Sequence, residues 1–99
     1  MDSDAQNALA DLLVAYFGDL PLKAGVSEMV RVTAFNSAYH ETYSATLRSG
    51  LEAAESGDPD VLTVIRRRYA PFFRELSDVS TLLSDILTEY DSQYDAATG

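Results

Sequence analysis

Apolar residues recur at three- and four-residue steps in three stretches of the chain, the spacing of one face of a helix. In the first stretch Leu9, Leu12, Leu13, Tyr16, Phe17 and Leu20 align. Asp2, Ser3 and Asp4 offer a cap and first-turn acids, and Gly18 and Pro21 end the pattern. A helix is therefore predicted over about residues 4–19, followed by a loop at Pro21 to Gly25 (PLKAG). The second stretch runs Val32, Phe35, Tyr39, Tyr43, Leu47, Leu51 and Ala54 and predicts a helix over about residues 27–56. Val30, Val32 and Ala34 alternate as in a strand, but only briefly, and the helical phase continues for several turns. Gly50 lies inside this helix, either for close packing or as a bend.

Ser56 to Asp60 (SGDPD) is the clearest punctuation. Gly57 suits a left-handed residue that ends one helix. Asp58 suits the cap of the next, Pro59 its first position and Asp60 its positive end. Beyond it Leu62, Ile65, Tyr69, Phe72, Leu76, Val79, Leu83, Ile86 and Tyr90 step by three and four without a slip. That is a heptad seam, and Val61, Phe73, Leu82 and Leu87 broaden it.

Pro71 falls within this seam, in VIRRRYAPFFREL (Val64 to Leu76). Proline lacks an N–H and clashes with the carbonyl four residues back, here that of Arg67. Yet the apolar register runs unbroken from Tyr69 through Phe72 to Leu76. This predicts one helix over about residues 59–93, kinked near Arg67 and on the order of 50 Å long. The competing reading is two helices meeting at Ala70–Pro71, with Pro71 in a new first turn. The predicted fold is all-α: an antiparallel up-and-down three-helix bundle, one domain over residues 1–99, with a long, Pro71-kinked third helix. That helix exceeds what the first can cover. Val79, Leu83, Ile86 and Tyr90 are therefore expected to pair with the same helix of a second chain.

Composition adds an environment. The 99 residues carry 16 acids against 7 basic residues, a net charge of −9. Lys23 is the sole lysine. Such a carboxylate-coated, lysine-poor surface resembles the proteins of salt-in halophilic archaea. In molar salt the Debye length is roughly 3 Å and self-repulsion is screened; in dilute buffer the same charge weakens the fold. The absence of cysteine removes disulfides, thiolate metal sites and cysteine nucleophiles. The acidic start, MDSDAQNA, does not read as a signal peptide, and no apolar run approaches the ~18 residues of a membrane span. A cytoplasmic location is expected.

The candidate chemistry is sparse. Arg66, Arg67 and Arg68 form the one basic run and could contact phosphate, but a chain at −9 repels a polyanion. The plainer reading is an outer face paired with carboxylates of a neighbouring helix or chain. His40, the one histidine, lacks Glu-x-x-His or His-x-x-x-His spacing and reads as a boundary residue with a local hydrogen bond. Tyr16, Tyr39, Tyr43, Tyr69 and Tyr90 fall on inner faces, as core walls or as the lining of a pocket between helices two and three. The acids form no pair suited to acid–base work, and SGDPD is a cap rather than a phosphate loop. Helical chorismate mutases share the small three-helical architecture, but they use an arginine on the first helix, and helix one here holds no cation. No catalytic residue, metal ligand or cofactor is assigned.

Glu55 to Leu76 (ESGDPDVLTVIRRRYAPFFREL) resembles a family of small archaeal helical domains, domain of unknown function 357. Gly57–Asp58 and Tyr69–Ala70 match its glycine–aspartate turn and its later tyrosine–alanine pair, whereas the Pro59–Asp60 insertion, the arginine run and Pro71 depart from it. The resemblance implies an up-and-down helical bundle and no activity. The expected function is a non-enzymatic interaction or structural module that pairs with itself or with another protein. The alternatives are a small-ligand regulatory domain or, through Arg66–Arg68, a nucleic-acid module.

Overall fold

The chain interrupts its helical pattern at two places where apolar periodicity runs straight on. The computed structural model describes residues 1–99. It contains α1 (Ser3–Phe17), α2 (Leu22–Thr33), α3 (Ser37–Glu55), α4 (Pro59–Arg68) and α5 (Leu76–Thr98), and no strand. The fold is all-α, but it is not the predicted three-helix bundle. The helix predicted over 27–56 is α2 and α3, and the kinked helix predicted over 59–93 is α4 and α5.

Asn36 causes the first interruption. Its backbone leaves the helical region (φ −144°, ψ 95°), and its side-chain oxygen accepts the Tyr39 N–H at 3.2 Å. Asparagine is a strong N-cap because this bond satisfies a donor with no partner inside the helix. The capped helix thus starts afresh at Ser37. At the other end of α2, the segment PLKAG is mostly helical rather than a loop. Pro21 precedes the first turn, and its carbonyl accepts the Gly25 N–H at 2.9 Å.

Pro71 ends α4 instead of kinking it. The Ile65 carbonyl accepts from both Tyr69 (2.8 Å) and Ala70 (2.9 Å), the second a wider, five-residue closure of the kind that ends helices. Proline disfavours helical geometry in the residue before it and offers no N–H to carry on. The Phe73 N–H then turns back to the Ala70 carbonyl at 3.1 Å. α5 begins five residues after Pro71, at Leu76, and not at Pro71 itself. The Asp78 carboxylate fixes that start by accepting the N–H groups of Arg74 (2.8 Å) and Glu75 (3.0 Å). Those two bonds hold its carboxyl below the usual carboxylate range. The molecule's longest axis is 37 Å, which leaves no room for one helix of about 50 Å.

The corner between α3 and α4 forms as its sequence reads. Gly57 takes φ +88°, a left-handed conformation that costs glycine little. The Asp58 side chain accepts the Asp60 N–H at 3.0 Å, with Pro59 at the first helical position.

Contacts between the helices set their directions. α1 and α4 run side by side the same way: the Met1 amino group meets Asp58 at 3.0 Å, and the Tyr69 hydroxyl donates to the Phe17 carbonyl at 3.2 Å. α3 runs against α1, placing Tyr43 beside Tyr16. α5 runs against α3, placing Tyr90 beside His40. Gly50 serves close packing, since a Cβ there would sit 2.7 Å from a Leu9 methyl carbon and 3.0 Å from one of Leu83. α2 lies over the C-terminal half of α5, with Thr33 against Tyr90 and Ser27 against Gln93. The surplus seam of the third predicted helix is thereby covered from within the chain.

Candidate interaction surface

The predicted contact residues split into two groups. Val79, Leu83, Ile86 and Tyr90 are fully buried in the chain's own core, packed under α2 and α3. Arg66, Arg67 and Arg68 lie in the last turn of α4, where the helix dipole favours cations. Arg68 meets the Asp11 carboxylate of α1, the cross-helix pairing expected of the run. Arg66 and Arg67 are exposed and have no carboxylate within 4.0 Å.

Apolar periodicity assigns Phe35 and Phe72 to inner faces, yet both stand in solvent, 95% and 76% exposed. Each lies in one of the interruptions, Phe35 immediately before the α3 cap and Phe72 immediately after Pro71. The signals that mark them are Asn36 and Pro71, because a side chain in a break belongs to neither helix's buried stripe. Four residues after Phe35, Tyr39 begins a line of aromatic side chains along α3 and α1. Tyr39, about half exposed, lies 5.9 Å from the Tyr43 ring, and Tyr43 meets Tyr16 edge-on at 5.6 Å. The Tyr16 and Tyr43 hydroxyls are 3.0 Å apart. Burial, then the Tyr43 hydroxyl, push the Tyr16 phenol well above the ordinary tyrosine range, so it stays neutral. Beside these hydroxyls an open cleft of about 250 Å³ runs between α1 and α3, lined by Ala8, Leu12, Thr42 and Thr46.

His40 has a distant partner, not a local one. Its Nδ1 lies 2.8 Å from the Tyr90 hydroxyl, which donates to the Thr33 hydroxyl oxygen at 2.7 Å. The Tyr90 proton is committed to Thr33, so its oxygen accepts from an Nδ1–H of His40. The imidazole also stacks on Tyr94 at 3.8 Å. This network clasps α2, α3 and α5 together, and its rings pack at one end of the groove between α3 and α5. Towards the other end an open hollow of about 290 Å³ lies between the two helices, lined by Leu51, Glu55, Ser80 and Asp85 and by none of the tyrosines. Burial pushes the Tyr90 phenol up, opposed in part by the Thr33 bond. Tyr90→Phe should destabilise the fold by about 2 kcal/mol in urea titrations, since the Thr33 and His40 groups lose their partner. The double variant Tyr90→Phe/Thr33→Val should cost less than the sum of the two single changes.

No three His, Asp or Glu side chains converge as a metal site would require, and no helix is long and apolar enough to cross a membrane. The arrangement offers aromatic contact area and, at the end of α4, two exposed cations without a carboxylate partner. No family model matches the chain, and no curated protein or solved structure matches it.

Proposed function

We propose that this chain is a cytoplasmic, non-catalytic interaction module that self-associates through the aromatic face at the start of α3. The observation that carries the reading is Phe35, 95% exposed and four residues before the start of the Tyr39–Tyr43–Tyr16 line. Rigid aromatic side chains supply much contact area at low entropic cost, and they dominate the energetics of protein interfaces. A two-fold axis through such a face sets ring against ring, each copy using the same patch. A charge of −9 on each copy opposes the approach, so association strengthens with salt. The halophile-like composition fits a protein that works under that screening. The seam on α5 plays no part in this contact, because α2 and α3 already occupy it.

Sedimentation in molar potassium chloride tests the proposal. A concentration-dependent rise above monomer mass is expected, and Phe35→Ser/Tyr39→Ser should weaken it by about tenfold or more. A strictly monomeric particle at high micromolar concentration would sink the reading. A second reading, a small-ligand domain, is favoured by the cleft between α1 and α3. Its two phenol hydroxyls stand beside an apolar wall, the mix by which pockets orient small molecules.

A further inference from the structure

The α4–α5 corner carries a feature that the aromatic face does not use. Arg66 and Arg67, with Leu62 and Thr63 one turn before them and Pro71 after them, line an open concavity of about 320 Å³ on the outer side of α4. Leu62–Arg66 and Thr63–Arg67 are rows at four-residue spacing on α4, and Pro71, beyond the end of the helix, closes the hollow. Phe72 follows Pro71 in the chain, 76% exposed, with its ring set edge-on against Phe73 at 5.2 Å. Phe73 packs against the core and props the exposed ring in place.

The two arginines are free in a chain that has carboxylates to spare. Its 16 acids supply partners to Arg31, Arg48 and Arg68 but none to Lys23, Arg66, Arg67 or Arg74, and of these four Arg66 and Arg67 line the hollow. The helix dipole explains why cations suit the end of α4. It does not explain why two unpaired arginines line a hollow with Leu62 and Pro71, next in the chain to an exposed phenylalanine. We propose that this corner docks a short acidic segment of a partner protein, one bearing an apolar side chain next to its carboxylates.

The chemistry fits on both counts. A guanidinium presents a planar fork of donors that matches a carboxylate with two parallel bonds. Leu62, Pro71 and Phe72 supply the surface for the neighbouring apolar group. Two cations suffice for one or two carboxylates. A nucleic acid presents a continuous row of phosphates, each needing a cation, against a surface that is otherwise acidic. At ~0.15 M salt the screening length is about 8 Å, so the sign at the point of contact outweighs that of the remote surface. This docking is independent of the aromatic face on α1 and α3.

A titration followed by NMR tests it on the full chain. The probes are a capped peptide of alternating glutamate and leucine, the same peptide with glutamine in place of glutamate, and oligothymidylate. The glutamate peptide should shift the side-chain Nε–H signals of Arg66 and Arg67 and the amides around Pro71. Arg66→Ala/Arg67→Ala should weaken it by about tenfold or more, and Phe72→Ala by a smaller factor. Both arginines are exposed, so the double variant should keep the helical circular dichroism of the parent. Arg66→Lys/Arg67→Lys, which keeps the charge and loses the fork, should fall between the two. Equal binding of the glutamine peptide, shifts confined to other faces, or no binding at millimolar peptide would each overturn the proposal. Tighter binding of oligothymidylate through the same arginines would assign the corner to nucleic acid instead. Phe35→Ser should leave this titration unchanged, so failure here and failure of self-association are separate results.

Discussion

Ile86→Asp is expected to unfold the chain. Ile86 is fully buried where α5 passes under α2 and α3, and no cation lies in the core around it. An aspartate there must either hold an unpaired charge away from water or take up a proton to avoid it. Either outcome removes the burial of a large aliphatic side chain and adds a desolvation cost, together on the order of 5 kcal/mol. Domains hold roughly 0.05–0.15 kcal/mol per residue, so a chain of this length has little left after such a loss. Circular dichroism at neutral pH should show most of the helical signal gone. Ile86→Val, which deletes one methylene and keeps the shape, should cost only about 1 kcal/mol. The pair of results distinguishes a core from an interface. If the α5 seam instead faced a second copy, Ile86→Asp would remain helical and would only shift sedimentation toward monomer.

The difference between the predicted and observed folds lies in the lengths of two interruptions. The break between α2 and α3 spans Ala34–Asn36 and the break between α4 and α5 spans Tyr69–Glu75. Three residues are close to one helical turn, and seven are close to two. The apolar stripe therefore re-enters each following helix nearly in phase, and periodicity alone does not register the gap. Val32, Phe35 and Tyr39 look continuous for this reason, as do Tyr69, Phe72 and Leu76. Local chemistry does register it. The Asn36 side chain satisfies a backbone donor, and Pro71 withholds one. The corner at Gly57–Pro59 and the Asp2 cap of α1 were legible because there the local chemistry and the end of the apolar pattern agree. Where the two conflict, the backbone hydrogen bonds decide, since an unsatisfied donor or acceptor costs more than a displaced apolar contact recovers.

The same conflict locates the candidate surfaces. Phe35 and Phe72 are the large residues that a continuous helix would bury and that the breaks release. Cutting the second predicted helix in two also frees α2 to cover the C-terminal half of α5. One event thus buries the α5 seam inside the chain and leaves Phe35 in solvent. The arginine run was legible as a surface feature. Its division into one paired and two free cations was not, because pairing depends on how α1 lies beside α4.

Gly25→Ala should be the most damaging of the single-methyl changes. Glycine within a helix normally weakens it, and alanine at an open position would add about 1 kcal/mol of stability. Gly25 is not open. A Cβ there would lie 2.4 Å from the Tyr16 carbonyl oxygen and 2.6 Å from the Phe17 ring, at the point where α2 turns back across the end of α1. A clash with the tip of a flexible side chain can relax, as the leucine methyls around Gly50 allow in part. A clash with a backbone carbonyl relaxes only if the two helices move apart. That movement would loosen Phe17, which is buried, and the Tyr69 bond to the Phe17 carbonyl that joins α1 to α4. Overpacking of this kind costs typically 1–3 kcal/mol and outweighs the gain in helix propensity. With the clash at the upper end of that range, the expected net loss is about 2 kcal/mol, read as a lower urea midpoint with an unchanged slope. Gly50→Ala should stay within about 1 kcal/mol of the parent, because its neighbours are side-chain ends and the propensity gain offsets their shift. Equal behaviour of the two variants would mean that α1 and α2 do not approach each other as closely as Gly25 permits.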